Sequence, residues 1–246
     1  MPDSADVPVR GYQGQGTDIH SRPAAVLWDM DGTLVDSEKV WTVSLADTAR
    51  ELGGELSCAA REAMVGSNMS RTLDILFDDL CLAPSPHALD HARQWLTTRT
   101  GELFAGGLEW RPGALDALRM VRSAGWPTAL VTNTGRALTE MALERIGREH
   151  FSVSICGDEV LRGKPAPDPY LRAAELLGVA AGECLAVEDS PTGTLAAIAA
   201  GAAVLVVPCE GPVPTGPRRV QRASLEGLTP WDVRQGYVQA RRSSAA

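Results

Sequence analysis

The sequence has no apolar run approaching the roughly 20 residues that a membrane-spanning helix needs, so a membrane partner is not expected. Residues 1–22 lack an apolar core and are rich in Gly, Gln, Asp and Pro. They read as a floppy tail, neither a secretory signal nor a packed element. Cysteine is sparse: Cys58, Cys81, Cys156, Cys184 and Cys209 are five in number, widely spaced, and never set as Cys-x-x-Cys. A disulfide scaffold and a zinc site are both poorly supported by that pattern, and a reducing cytoplasm fits it. Positive charge is also short. A net charge of −8 argues against a nucleic-acid surface, although a few local donors and a cation still suffice for a small anionic substrate. Lysine is scarcest of all, with only Lys39 and Lys164 among 23 basic residues. Where lysine is that rare, one kept in a Gly-Lys-Pro turn invites a specific explanation.

What remains is ordinary for a globular protein: 44% hydrophobic and 22% charged residues over a chain of 246, enough for a substantial core in one or two domains. The chain is organised around residues 24–38, Ala-Ala-Val-Leu-Trp-Asp-Met-Asp-Gly-Thr-Leu-Val-Asp-Ser-Glu. Residues 24–28 form an apolar run too short for a helix, which suits a strand buried on both faces. Asp29 and Asp31 follow at its C-terminal end, the edge where open α/β sheets place ligands. In an extended chain both carboxylates point the same way, and Gly32 permits a sharp turn after them. Two such carboxylates repel unless a cation sits between them or one holds a proton. A metal and phosphoryl-transfer site and a plain polar turn are both compatible with the pair alone.

Residues 38–106 show helical spacing and no strand-like alternation, and are read as an all-helical insertion. From residue 107 short apolar strands alternate with helices, which implies a parallel sheet with right-handed crossovers. One helical turn is expected near residues 224–228, and residues 236–246 are expected to be loose. The resulting division is a core of residues 23–37 and 107–235 with a cap of residues 38–106.

Three further stretches carry chemistry. Val-Thr-Asn-Thr-Gly-Arg over residues 131–136 follows a strand and opens a helix, where a hydroxyl and unpaired N–H groups make an anion cradle; Thr132 or Thr134 acting only as a helix cap is the plainer alternative. Arg-Gly-Lys-Pro-Ala-Pro-Asp-Pro over residues 162–169 is a proline-stiffened loop. Such a loop places Lys164 as a point charge for a phosphoryl group or an aspartate, with an exposed surface lysine as the alternative. Arg162 is the less favoured cation there. Glu188 and Asp189 end a second apolar run, and a second acidic pair at a second strand end accumulates negative charge that calls for a cation. Magnesium, a hard ion that accepts carboxylates and keeps waters, fits an oxygen-only set. Asp158 and Asp168 read as structural loop acids.

Asp-Met-Asp-Gly-Thr-Leu-Val-Asp-Ser-Glu, with the three stretches above, resembles the motifs of the haloacid dehalogenase-like superfamily of phosphohydrolases. The sequence is most similar to the branch with an α-helical cap that includes sugar-phosphate phosphatases, phosphoglycolate phosphatases and β-phosphoglucomutases. The resemblance covers residues 24–208. It implies an α/β fold, a Rossmann-like parallel sheet with helices on both faces and an all-helical cap inserted after the first strand. It further implies that Asp29 is a nucleophile giving an aspartyl-phosphate, and that Asp31 protonates the leaving alcohol and then deprotonates water. Thr132 and the Asn133 backbone would bind the phosphoryl group beside Lys164, with Mg²⁺ held by Asp29, Asp189, Glu188 and Asp31, the last through its backbone carbonyl. Gly66, Ser67, Asn68 and Arg71 in the cap, and Arg136, are candidates for reading the leaving group; Ser67 or Asn68 as a plain N-cap is the alternative. The expected partner is a small phosphorylated metabolite acted on by a monomer or weak dimer. A phosphomutase uses the same aspartates and remains the nearest rival. A dehalogenase is disfavoured by Asp31 and the acidic Glu188-Asp189 stretch, and a non-catalytic binding or regulatory protein by the intact motifs.

Overall fold

The computed structural model describes residues 22–243; apart from Arg22, the expected N-terminal tail lies outside the described residues. Six parallel strands form one sheet: β1 (Ala25–Trp28), β2 (Thr128–Val131), β3 (Val153–Ile155), β4 (Cys184–Glu188), β5 (Ala203–Val206) and β6 (Arg219–Gln221), in the order β3-β2-β1-β4-β5-β6. The apolar runs are strands because both their faces are covered. Val26, Trp28, Leu130, Leu185 and Val187 pack on one layer, against α5 (Ala114–Ser123), α6 (Arg136–Ile146) and α9 (Pro230–Arg242). Ala25, Leu27, Ala129, Val131 and Ala186 pack on the other, against α7 (Asp168–Leu177) and α8 (Pro191–Ala199). Alternate residues of one strand thus serve opposite layers. β1 lies between β2 and β4, at the point where the strand order reverses, and ligands of such sheets gather there.

Between β1 and α5 the chain forms α1 (Glu38–Glu51), α2 (Cys58–Ala63), α3 (Met69–Asp79) and α4 (Pro86–Gly106). These four helices share a hydrophobic cluster of their own, with Leu45, Leu73, Leu76, Phe77 and Leu96 at its centre. Ser57, Asn68 and Ser85 start α2, α3 and α4, each accepting the N–H three residues on, as short polar side chains do at an N-cap. Among the described residues no helix is long and apolar enough to cross a membrane.

The C-terminal expectations need correction. Residues 236–242 are not loose: α9 runs to Arg242, opens with a capping box between Thr229 and Asp232, and buries Val233, Gly236, Tyr237 and Ala240. Its apolar stripe is interrupted by a glycine and surrounded by arginines, so periodicity understates it, and packing on β5 and β6 decides. Residues 224–228 form a turn instead of a helix. The edge strand β6 has no apolar run to announce it, and exists because β5 offers it a backbone partner.

Candidate active site

Strand register builds the site. Leu27 lies opposite Ala186 and Trp28 opposite Val187, and the Asp29 N–H donates to the Val187 carbonyl at 3.0 Å. The carboxylates that end β1 and β4 therefore arrive side by side. Alternation puts Asp29 and Glu188 on the layer of α7, which carries Tyr170. Lys164 reaches in from the proline-rich loop and donates to Asp29 Oδ1 at 2.6 Å and Glu188 Oε1 at 2.7 Å. It is 4% exposed, so the surface-lysine alternative falls. The Tyr170 hydroxyl donates to the same Glu188 oxygen at 2.5 Å, a contact that no sequence motif announced.

Burial dominates the electrostatics. It pushes the Asp29 carboxyl up to about 7, against the pull of Lys164 and with help from Glu188 and Asp31. Burial likewise raises the Asp189 carboxyl well above its usual range, and Asp29 and Glu188 add to the rise. For Lys164 burial works against the charge, but Asp29 and Glu188 outweigh it and the ammonium is held above its ordinary value. One lysine thus faces three buried carboxylates.

Asp29, Glu188 and Asp189 offer carboxylate oxygens within 4.8 Å of one another. Gly32, at φ +81°, makes room for the third: a Cβ there would stand 2.2 Å from Asp189 Oδ2. An all-oxygen, buried, net-negative set fits a hard divalent cation, which would balance charge that a single lysine leaves uncompensated.

The Asp31 carboxylate lies outside that cluster; the ligand expected of this residue is its backbone carbonyl. The N–H groups of Leu34 and Val35 bond back to the Met30 carbonyl, so the chain turns after Asp29 and strict alternation ends. Asp31 Oδ1 accepts from Ser37 Oγ at 2.6 Å and Trp41 Nε1 at 3.1 Å. Its Oδ2 accepts from Thr134 at 2.8 Å and Thr132 at 3.3 Å. Asp29 and Asp31 still line one cavity of about 80 Å³, held by different partners. Ser37, Trp41 and Thr134 are site residues that the expected set did not contain.

The α6 N-terminus is capped by Asp158, which accepts from the Arg136 N–H, so neither Thr132 nor Thr134 is spent on that task. Asn133 clips the lysine loop: its Oδ1 accepts from the Lys164 N–H at 2.8 Å, and its Nδ2 donates to the Lys164 carbonyl at 3.1 Å. The same Nδ2 bonds the Gly66 carbonyl at 2.9 Å, tying core to cap. Gly66 and Ser67 line the cavity; the Ser67 hydroxyl lies 2.6 Å from that of Thr72. Asn68 caps α3, the plainer of its two readings, and with Arg71 faces an outer cleft instead of the inner cavity. Arg136 reaches neither space. Its guanidinium is taken by Glu159, Glu140 and Ser154, so its expected contact with substrate is withdrawn. Arg162 pairs with Asp168.

Known proteins resemble this chain over most of its length. The family model for haloacid dehalogenase-like hydrolases matches residues 23–201. Hexitol phosphatase A of Escherichia coli is 32% identical over 191 residues, covering 74% of this chain and 81% of that protein. The crystal structure of CbbY from Rhodobacter sphaeroides in complex with phosphate superposes with a TM-score of 0.69 at 29% identity, over 76% of this chain and 86% of that one. A β-phosphoglucomutase from Clostridium difficile shares the fold, with a TM-score of 0.77 at 19% identity over 88% of this chain and 98% of that one. With acids from two adjacent strand ends meeting one buried lysine inside the matched span, the chain belongs to the haloacid dehalogenase-like hydrolases.

Proposed function

We propose that this protein is a magnesium-dependent phosphohydrolase that cleaves a small phosphate monoester, such as a sugar phosphate, through an aspartyl-phosphate. The observation that carries the reading is the Asp29–Lys164–Glu188 chain at the edge of β1 and β4, with Asp31 on the other side of the same cavity. The phosphatase names of relatives such as hexitol phosphatase A support the substrate class.

In this reading Asp29 attacks phosphorus through a carboxylate oxygen, and the phosphorus–oxygen ester bond breaks toward the alcohol. Asp31 gives the leaving oxygen its proton, then takes one from the water that attacks the phosphoryl-aspartate, releasing phosphate and restoring Asp29. Ser37, Thr132 and Thr134 bear hydroxyls that both donate and accept, so they can serve Asp31 in either protonation state. Lys164, the Thr132 hydroxyl and the Asn133 backbone N–H neutralise and orient the phosphoryl oxygens. A magnesium ion held by Asp29, Asp189, Glu188 and the Asp31 backbone carbonyl would supply further positive charge against those oxygens. The cap excludes bulk water. We place the enzyme in the cytoplasm, which suits its five free cysteines, as a monomer or weak dimer.

The test is phosphate release from a panel of sugar phosphates with magnesium and with a chelator. Magnesium-dependent release is expected; transfer to a second sugar hydroxyl without release would replace the phosphatase by a phosphomutase.

A further inference from the structure

The inner cavity has two walls of unlike chemistry. The strand edge supplies the acids and Lys164. The opposite wall, from the cap, is largely apolar, with Trp41, Leu45, Met64, Met69 and Leu96. Its polar groups are the paired hydroxyls of Ser67 and Thr72, and one ion pair: Arg61 Nη2 donates to Glu38 Oε2 at 2.6 Å. Arg61 is further engaged by Thr42 Oγ1 at 3.1 Å and by Glu210 at 3.5 Å, the latter on the loop after β5. The Arg61 and Glu38 side chains are 15% and 12% exposed.

Among the described residues, Lys164 and Arg61 are the two cations that line this cavity, and each already serves two carboxylates. The cap wall is therefore short of positive charge. Burial pushes the Glu38 carboxyl up to about 7; Arg61 opposes the rise and Glu210 adds to it, consistent with a wall that holds more acid than it balances. Arg71 and Arg93 line the outer cleft, not the inner cavity, and the Asn133–Gly66 bond joins core to cap between the two spaces.

Resting on the phosphatase reading, we infer that the site selects phosphate monoesters whose alcohol portion carries no second negative charge, a neutral hydroxylated leaving group with an apolar edge. A second phosphate or a carboxylate in this cavity would have to strip Arg61 from two carboxylates and lie against Glu38, and buried like charges are strongly disfavoured. A neutral alcohol exchanges hydrogen bonds with Ser67 and Thr72 and lays its carbons on Trp41 and the leucine and methionine side chains.

The test compares matched esters on the purified full chain with magnesium. 2-Hydroxyethyl phosphate is set against 2-phosphoglycolate, which differs by a carboxylate in place of the hydroxymethyl group, and fructose 1-phosphate against fructose 1,6-bisphosphate. The neutral member of each pair is expected to have kcat/KM at least ~10-fold higher, mainly through KM. Glu38→Gln and, separately, Glu210→Gln are expected to narrow the gap by improving the charged member, with folding checked by thermal melting. Equal or better turnover of the charged members would overturn the inference while leaving the phosphatase reading in place. No turnover of any ester, p-nitrophenyl phosphate included, would instead overturn the phosphatase reading. Calorimetric binding of the same pairs would then decide the cavity's preference, tighter binding of the charged members counting against it.

Discussion

Tyr170 and Lys164 share one oxygen of Glu188. The hydroxyl approaches Oε1 at 2.5 Å and the ammonium at 2.7 Å, with the Lys164 nitrogen 5.1 Å from the Tyr170 ring centroid. Glu188 is fully buried, so this pair of donors balances a charge that water cannot reach. Tyr170→Phe removes one donor and is expected to lower stability by about 1–3 kcal/mol. Turnover should fall about 10-fold with little change in KM, because Glu188 then competes harder with Asp29 for Lys164. Thermal melting beside steady-state kinetics checks it; unchanged kcat would separate Tyr170 from the chemistry.

Trp41 connects α1 to Asp31 through its indole N–H and packs edge-on against Phe104, centroids 6.5 Å apart. Trp41→Phe keeps most of the packing and loses the hydrogen bond. The expected result is a several-fold drop in kcat with stability within about 1.5 kcal/mol of wild type. A melting temperature that collapses would show the residue to be mainly structural.

The two aspartates are expected to fail differently. Asp29→Asn should abolish phosphate release while leaving the circular-dichroism spectrum intact, since the amide keeps the shape. Asp31→Asn should slow turnover and let a phosphoenzyme accumulate with a good leaving group, visible by intact-protein mass as an added phosphoryl group. Near-wild-type release by Asp29→Asn would remove the nucleophile assignment.

Burial raises the Asp29 carboxyl of the metal-free protein to about 7 from 3.8, with Lys164 opposing. A folded state that holds a proton more tightly than the unfolded chain is most stable below the unfolded value. Its advantage shrinks by up to about 1.4 kcal/mol per pH unit as pH rises from there toward the folded value. With chelator present, wild type should therefore lose stability relative to Asp29→Asn between pH 4 and 7. Added magnesium should reverse the loss near neutral pH by binding the folded state. Parallel melts of the two proteins across that range read the difference directly; identical pH slopes would contradict it.

Gly193, in the first turn of α8, lies flat against Glu188: a Cβ there would stand 1.9 Å from Oε1 and 2.1 Å from Oε2. Gly193→Ala must push the carboxylate out of place. A loss of stability of about 1–3 kcal/mol is expected, with weaker magnesium-induced stabilisation. An alanine variant that melts and binds metal like wild type would show that Glu188 is free to move.

Much of this protein is settled by the chain alone. Short apolar runs ending in acids read as buried strands with charge at their tips, and prolines stiffen the loop that carries Lys164. Those local rules set Asp29, Glu188 and Asp189 at strand ends, whereas an exposed Lys164 would satisfy them equally, and its place beside the acids is what the family resemblance implies. They stop where a partner distant in sequence decides. The Asp31 carboxylate meets Thr134 and Trp41 because the chain turns at Gly32. Arg136 is lost to Glu159 and Ser154, and the arginine-poor look of the cap wall depends on Glu38 and Glu210 meeting Arg61 from two parts of the chain. The weakly amphipathic α9 is a helix because β5 and β6 give it a surface to cover. Periodicity reports what one segment prefers, whereas burial, charge balance and hydrogen-bond partners exist only once the segments have met.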